Sequence, residues 1–599
     1  MKYNIKVDNP FGRTIRDIVL RNRNLTEEDV KKLSNLDLGR VAESPFQIFG
    51  MDNGVKLFIQ EFDKQSNIGI ICDPDVDGYC STAIIYLFLK ESNYPMDKVK
   101  VFFHEGKMHS LKDEKLFKEI KKSNINFLIT PDCCTNDEHE IKILLDMNIK
   151  VLTIDHHIKS DDNKLQNVYK NQNSELIYAL VNNQLGKYCK DFCGAGVCWN
   201  FCIALLQKEW CHQDLCAISN IADMMNINND YYLRTLINKG LDNITNQLFI
   251  EFLKDANIEK PTPMDISFNL TNYINGVIRF GDIKEKKEML FRALIGEEEE
   301  FEYKPRKSKN NPNPTVEIES LQRHMVRLSK SIKQKQDKKK KECIELCKKH
   351  INENNLNDNK VIVVVDKENE MVDKRITGLI AMGLVDIYKK PVVLLSYSSK
   401  QDCYIGSMRG YGLESFKKIL ESTEIIKVTG HDNSAGVEVQ KKDLPRLIKR
   451  INKVMEDVNT VEPSIDIDCV IDLKELSFKQ MNEILDLKML WNSFCPKPQF
   501  LIKDKEINIK DIRNPYPTLL AFEIDGIQFK KEFCSGVFKS DFLCEEETKN
   551  IFGRPDIVID EMVVSIEYDD YKKQPCFGIK SAKTHVKKKD DKKNKNIPF

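Results

Sequence analysis

The sequence predicts an α/β protein of several domains: a parallel-sheet domain near the N-terminus, a long helix, a smaller α/β domain, and a C-terminal β-rich domain. Three features predict it. Short apolar runs alternate with helical patterns through the first third of the chain, and each run ends in acid or in acid and histidine. Val316 to His350 keeps a continuous helical pattern without Gly or Pro. Beyond it, the apolar runs Lys360–Val365 and Pro391–Leu395 flank a helical pattern from Gly378 to Tyr388, and residues 497–585 alternate strand-like pieces with polar turns.

The first apolar run, Ile68 to Ile71, reads as a buried strand and is followed at once by Asp73, Asp75 and Asp77. Carboxylates at alternate positions repel one another unless a cation sits between them, so this is the sequence of a metal site. Ser81 to Lys90 supplies the next helix. A second strand, Asn126 to Thr130, ends at Pro131 and Asp132; a helix follows from Asp137 to Leu145; a third strand, Lys150 to Ile154, ends at Asp155, His156 and His157. Parallel sheets place their sites at the carboxyl ends of the strands, so the three clusters converge. Asp223 lies further on, ahead of a helical subregion.

The same residues have plainer readings. An Asp after a strand also caps helices and turns, and a His pair also packs or caps. Three aspartates at alternate positions also open calcium loops, but the twelfth position from Asp73 is Ile84, where that loop needs glutamate. Cys202, Cys211, His212 and Cys216 fit no zinc spacing. Eighteen cysteines without a small-domain framework read as reduced, buried thiols in a cytoplasmic protein. No apolar stretch approaches the ~20 residues of a membrane span, and the N-terminus lacks the form of a signal peptide. The 92 Lys and Arg balance 92 Asp and Glu, so positive charge for a nucleic acid must be local. Basic clusters occur at Lys304–Lys309, Lys330–Lys341 and Lys587–Lys595; each also reads as a solvated face or tail.

These signals divide the chain at 1–300 (catalytic α/β domain), 301–352 (Pro/Asn/Lys-rich linker and long helix, roughly 50 Å at ~1.5 Å per residue), 353–456 (smaller α/β domain), 457–585 (β-rich domain) and 586–599 (basic disordered tail).

The segment from Asp73 to Ser81, taken with Asp155-His156-His157, resembles the DHH phosphoesterase superfamily. Cys193 to Val197 resembles the segment after that family's third motif, and Ile218 to Met224 its fourth motif. Thr429 to Gly436 resembles the Gly-Gly-His signature of the associated DHHA1 domain, and Gly406 to Arg409 its Gly-Ser-Xaa-Arg element. Within the superfamily the chain is most similar to the RecJ type of single-strand-specific exonuclease. Val19 to Glu28 and Ser44-Pro45 resemble its N-terminal lead-in; Leu233 to Leu241 and Ile274 to Arg279 resemble core segments.

That resemblance implies a DHH domain joined by a long helix to a DHHA1 domain, with an OB-like C-terminal domain that binds single strands. By motif position, Asp73, Asp75 and Asp132 hold one divalent ion. Asp77, Asp132, His156 and Asp223 hold the other, with Asp132 bridging. Asp155 orients the imidazoles, and His157 faces the scissile phosphate. Carboxylate and imidazole together suit Mn²⁺, with Mg²⁺ the alternative. Arg279, Ser407, Arg409 and His431 anchor a terminal phosphate, giving 5′–3′ hydrolysis of single-stranded DNA in repair or recombination, with RNA not excluded. A helicase or single-strand-binding protein is the implied partner of a monomeric, cytoplasmic enzyme.

The chain also departs from the family. Phe103 to His109 replaces the usual Asn-Arg…Gly-Tyr-Gly segment, so a phosphate contact there falls to Lys107 or His109, or is lost, and Gly-Gly-His becomes Thr429-Gly-His431. Two other classes of function are compatible with the motifs: a phosphoesterase of short oligonucleotides or cyclic dinucleotides, and an inactive replication scaffold. Length and added domains disfavour the former, and a complete ligand set disfavours the latter.

Overall fold

The computed structural model describes residues 3–586 apart from 8–11, 35–40, 105, 107, 108, 188–190, 229, 282, 283, 308–311, 400, 462, 463, 509, 510, 517, 518 and 533–555. Lys107 and residues 587–599 of the expected basic tail lie outside the described residues. The chain forms two compact units: Leu36–Pro463, and Met1–Asn35 together with Ser464–Phe599.

In the larger unit a 3-10 turn, Pro45–Gln47, leads to helix α1 (Met51–Asp63). Gly50 before it takes φ 78°, and a Cβ there would lie 1.9 Å from the Leu180 carbonyl oxygen, so the close entry of α1 onto the sheet requires glycine. Strands β1 (Ile68–Cys72), β2 (Val99–Phe103), β3 (Phe127–Pro131), β4 (Lys150–Asp155), β5 (Val168–Lys170) and β6 (Leu176–Asn182) form one sheet in the order β2-β1-β3-β4-β6-β5. All pairings are parallel except β5 with β6. Strands β1 and β3 are buried along their whole length, as sheets covered on both faces require.

The covering helices are α2 (Val76–Glu91), α3 (Glu114–Lys122) and α4 (Glu138–Asp146), followed by α5 (Gly194–Leu206). Helices α2 and α5 are apolar nearly all round and accordingly buried. A helical subregion continues with α6 (Gln213–Ala222), α7 (Tyr231–Asp242) and α8 (Gln247–Asp255). Pro263–Ile266 then runs through a π-helical turn, Ser267–Thr271, into α9 (Asn272–Phe280), and α10 (Lys284–Leu294) follows.

The long helix α11 spans Leu321–Glu353, about 50 Å at ~1.5 Å per residue. It starts later than its sequence pattern because Glu317–Ser320 pairs as a strand with Glu300–Tyr303, and the Ser320 hydroxyl then accepts the Arg323 N–H as N-cap. One stripe of α11, including Met325, Ile332, Cys343 and Cys347, is buried, and its Lys-rich remainder faces water.

The segment beyond α11 contains β7 (Ile362–Asp366), α12 (Thr377–Tyr388), β8 (Val392–Ser398), β9 (Cys403–Arg409), α13 (Phe416–Glu421), β10 (Ile426–His431), β11 (Ser434–Gln440) and α14 (Leu444–Glu456). Its sheet order is β7-β8-β9-β11-β10, with only β7 and β8 parallel. Val393, Leu395, Phe416, Leu447 and Ile451 centre its core.

In the smaller unit Tyr3–Ile5 pairs in parallel with Ile465–Ile467. The Arg23 guanidinium bonds the buried Asp468 carboxylate at 2.6 Å and lies over the Trp491 ring. Among the described residues the unit's main sheet has seven strands, dominated by the antiparallel pair Asp556–Asp569 and Gln574–Val586.

Candidate metal centre and the cavity beside it

Strands β1, β3 and β4 are neighbours, so Asp73, Asp132 and Asp155 emerge together at one edge of the sheet. Asp73 follows β1 directly. Asp75 is the N-cap of α2, accepting the Gly78 N–H at 3.1 Å, and Asp77 lies in its first turn. Gly78 has no room for a side chain, since a Cβ would stand 2.3 Å from that of Asp73. Asp132 takes φ 61°, a left-handed conformation that Asp tolerates better than most residues, while its N–H donates to the Ile154 carbonyl at 2.8 Å.

Helix α5 presents its first turn to the Asp77 carboxylate. The Gly194 N–H donates to Oδ2 at 2.7 Å and the Ala195 N–H to Oδ1 at 2.8 Å, and the Ser219 hydroxyl on α6 adds a third bond at 2.6 Å. A helix N-terminus is the natural partner of a buried carboxylate. Asp155 is wholly buried and accepts the His156 N–H at 2.7 Å, the Thr135 N–H at 3.0 Å and the His157 Nδ1 at 2.7 Å. Its carboxylate thereby fixes the His157 ring.

His156 Nε2 sits among three carboxylates, 3.2 Å from Asp132 Oδ1 and 3.7 Å from both Asp77 Oδ2 and Asp223 Oδ2. Asp132 Oδ1 and Asp73 Oδ1 are buried without a hydrogen bond. A buried polar atom left unbonded is costly, and here two carboxylate oxygens are so left in a cluster already rich in negative charge. Among the described residues, the donor atoms of this cluster fall into three compact sets, each within 4.8 Å: Asp73, Asp75 and His109; Asp77, His156 and Asp223; Asp132, His156 and His157. Orphaned carboxylate oxygens beside imidazole nitrogens fit divalent cations.

Electrostatics points the same way. Burial, and then repulsion from Asp77, Asp75 and Asp73, drives the Asp132 carboxyl well above its ordinary range. Burial raises Asp73 to about 6, and burial with repulsion from Asp77 and Asp75 raises Asp223 to about 8. Asp155 behaves oppositely. Burial opposes its charge, but His157 and His156 and the hydrogen bonds outweigh it and hold it below the usual range. Burial likewise opposes a charged His157, yet Asp155 lifts it to about 10.

A carboxyl whose folded value exceeds the unfolded value of ~3.9 adds stability at low pH and loses it as pH rises through the folded value. In chelator, stability is therefore expected to fall between about pH 4 and pH 8. Mn²⁺ favours the ionised carboxylates, so the rise in Tm on adding it should be larger at pH 8 than at pH 5. Thermal unfolding at the two pH values checks this; a Tm indifferent to Mn²⁺ at pH 8 would contradict it.

Beside the cluster lies a cavity of about 510 Å³ that contains all four expected phosphate-anchoring residues, Arg279, Ser407, Arg409 and His431, together with His109 and Lys333. Arg279 spans cluster and cavity, with a guanidinium nitrogen 3.9 Å from Asp75 Oδ2. Burial, and then the nearby Arg279 charge, lowers the Arg409 value, so two guanidinium groups crowd one cavity. The Ser407 hydroxyl bonds that of Thr377, at the start of α12. Gly378 in that first turn makes room for Arg409: a Cβ there would stand 2.4 Å from the guanidinium. Two arginines lining one cavity, one of them packed against a helix N-terminus, are suited chemically to an anion.

The site residues read from sequence thus gather in two adjoining places. Gly194, Ala195 and Ser219 hold Asp77 without a role assigned to them from sequence. Gly194 and Ser219 belong to recognisable segments, but their bonds to Asp77 need the fold. His109 was read only as a substitute phosphate contact, and its Nδ1 instead hydrogen-bonds Asp73 and lies 3.9 Å from Asp75 Oδ2.

Residues 67–227 match the DHH family, N-terminal domain. The chain is 29% identical over 556 residues to the "Putative SPbeta prophage-derived single-strand DNA-specific exonuclease YorK" of Bacillus subtilis (strain 168), covering 89% of this chain and 91% of that one. It is 23% identical over 482 residues to the single-stranded-DNA-specific exonuclease RecJ of the same organism, covering 78% of this chain and 56% of the relative. Among solved structures, RecJ of Thermus thermophilus in complex with Mn²⁺ superimposes with a TM-score of 0.67 at 16% identity, covering 96% of this chain and 76% of that one. Residues 67–227 therefore form a DHH-family domain, in a chain whose likeness along most of its length is to RecJ-type proteins.

Proposed function

We propose that the chain is a metal-dependent exonuclease that hydrolyses single-stranded DNA from the 5′ end. The observation that carries this reading is the meeting of a carboxylate–imidazole cluster, with orphaned buried oxygens on Asp73 and Asp132, and a cavity holding Arg279 and Arg409. The names of its relatives support single-stranded DNA as substrate.

In this reading Asp73, Asp75 and Asp132 hold one cation, and Asp77, Asp132, His156 and Asp223 hold the other, Mn²⁺ being preferred over Mg²⁺. Bound divalent ions polarise the phosphoryl oxygen and lower the pKa of water towards neutrality. The protein's part is to place the groups. Asp155 clamps His157 through Nδ1 and keeps the ring protonated, so that it donates to charge developing on the scissile phosphate. Gly194, Ala195 and Ser219 hold Asp77 in one orientation. Arg279, Ser407, Arg409 and His431 grip the terminal phosphate and set its distance from the cluster, which makes cleavage exonucleolytic.

The C-terminal sheet serves in this account as an OB-like surface for the trailing strand. The divisions at 300, 352 and 456 then separate catalytic, connecting and phosphate-gripping parts, and the enzyme works in the cytoplasm in DNA repair, recombination or phage DNA metabolism.

Strands with a 5′-phosphate are expected to be cut with a kcat/KM at least about tenfold above 5′-hydroxyl strands, one bidentate contact being worth roughly 1.5–3 kcal/mol. Arg409→Ala should erase that preference while leaving Mn²⁺ binding intact. Equal use of both ends by the unaltered enzyme would contradict the anchoring role. Hydrolysis of di- to tetranucleotides alone would favour a short-oligonucleotide phosphoesterase.

A further inference from the structure

His109 stands outside the carboxylate and histidine motifs, on the loop between β2 and α3, yet its ring reaches the cluster. Its Nδ1 hydrogen-bonds Asp73 Oδ2 and lies 3.9 Å from Asp75 Oδ2. The three donor atoms fall within 4.8 Å of one another. Donors ~2.1 Å from a common ion stand about 3.0 Å apart when adjacent and about 4.2 Å apart when opposite, so this spacing accommodates one cation without rearrangement of the backbone. The second oxygen of Asp73 is buried and unbonded, leaving that carboxylate acceptor capacity. The imidazole is 40% exposed and lines the cavity that holds Arg279 and Arg409.

We propose that His109 is a metal ligand: it joins Asp73 and Asp75, beside the shared Asp132, as a donor to one cation and sets that cation at the mouth of the arginine-lined cavity. The inference rests on the two-cation reading above. It gives both cation positions an imidazole, His109 at one and His156 at the other. Mixed nitrogen and oxygen ligation at both positions favours Mn²⁺, Co²⁺ or Zn²⁺ over Mg²⁺, which takes oxygen donors. It also ties the cation nearest the cavity to a residue that lies between the cluster and the anion site.

The test is Mn²⁺ titration by calorimetry, with pulsed electron paramagnetic resonance of the loaded protein to detect ¹⁴N coupling, on the unaltered chain, His109→Ala and His109→Asp. Ligation predicts two Mn²⁺ ions on the unaltered chain. His109→Ala should weaken one of the two by about tenfold or more and reduce the ¹⁴N coupling without abolishing it, since His156 remains. His109→Asp should regain affinity without regaining the lost coupling. Two ions bound to His109→Ala with unchanged affinity and coupling would overturn the inference and leave the two-cation reading standing. No Mn²⁺ bound to the unaltered chain would overturn both. Circular dichroism of both variants in chelator should match the unaltered chain, which separates the loss of a ligand from the loss of the fold.

Discussion

Asp132→Asn is expected to abolish hydrolysis, lowering kcat/KM by roughly 10³-fold or more, while the chelated protein becomes more stable. The substitution keeps the volume of the side chain and suits φ 61°, because Asn shares the tolerance of Asp for the left-handed region. It removes only the charge. In the proposed centre Asp132 serves both cations, so losing it disturbs both positions, and 10³-fold corresponds to about 4 kcal/mol of transition-state stabilisation. Stability moves the other way because the ionised group is buried and repelled by Asp77, Asp75 and Asp73. Cleavage assays with calorimetric unfolding in EDTA and in Mn²⁺ read both effects. A variant that retains activity would remove Asp132 from the centre. A variant with a lowered Tm in EDTA would contradict the electrostatic account.

Gly194→Ala should cost nearly as much activity although it deletes no functional group. A Cβ at this position would stand 2.4 Å from Asp132 Oδ1 and 2.5 Å from Asp132 Cβ, far inside contact distance. The N–H of the same residue holds Asp77 at 2.7 Å. Relief of the clash must move α5, Asp132, or both, so a single methyl displaces one carboxylate and loosens the other. We expect a loss of about 10²-fold or more in kcat/KM, weaker Mn²⁺ binding, and a destabilisation of about 1–3 kcal/mol typical of overpacking. Activity close to the unaltered enzyme would show that the first turn of α5 does not position the centre.

Most of the candidate centre is legible in the sequence because its chemistry is local. Asp73, Asp75 and Asp77 follow a run whose side chains are buried on both faces, and the Asp155-His156-His157 run ends another. Alternating carboxylates at strand ends are hard to explain without a cation, and parallel strands bring their ends together. Less legible were features that depend on partners distant in the chain. Nothing near Gly194 reports that it abuts Asp132, and nothing near His109 reports that its ring reaches Asp73, since both contacts span loops without periodicity. Helix α11 illustrates a different limit. Glu317–Ser320 fits its helical pattern, but pairing with Glu300–Tyr303 captures the segment as strand, a tertiary contact overriding local preference. The four cavity residues lie on α9, β9 and β10, and only the packing of those elements places Arg279 alongside Arg409.

In the proposed enzyme the carboxylate–imidazole cluster would hydrolyse single strands from an anchored 5′ end. The most direct test is a time course of products from single-stranded DNA labelled at the 5′ or the 3′ end, in Mn²⁺ and in EDTA, with Asp132→Asn alongside. The expected result is early release of labelled mononucleotide from 5′-labelled strands, a ladder shortening progressively towards the label on 3′-labelled strands, and no cleavage in EDTA, on blunt duplex, or by the variant. Release of mononucleotide first from the 3′ end, or cleavage that survives EDTA or Asp132→Asn, would contradict it.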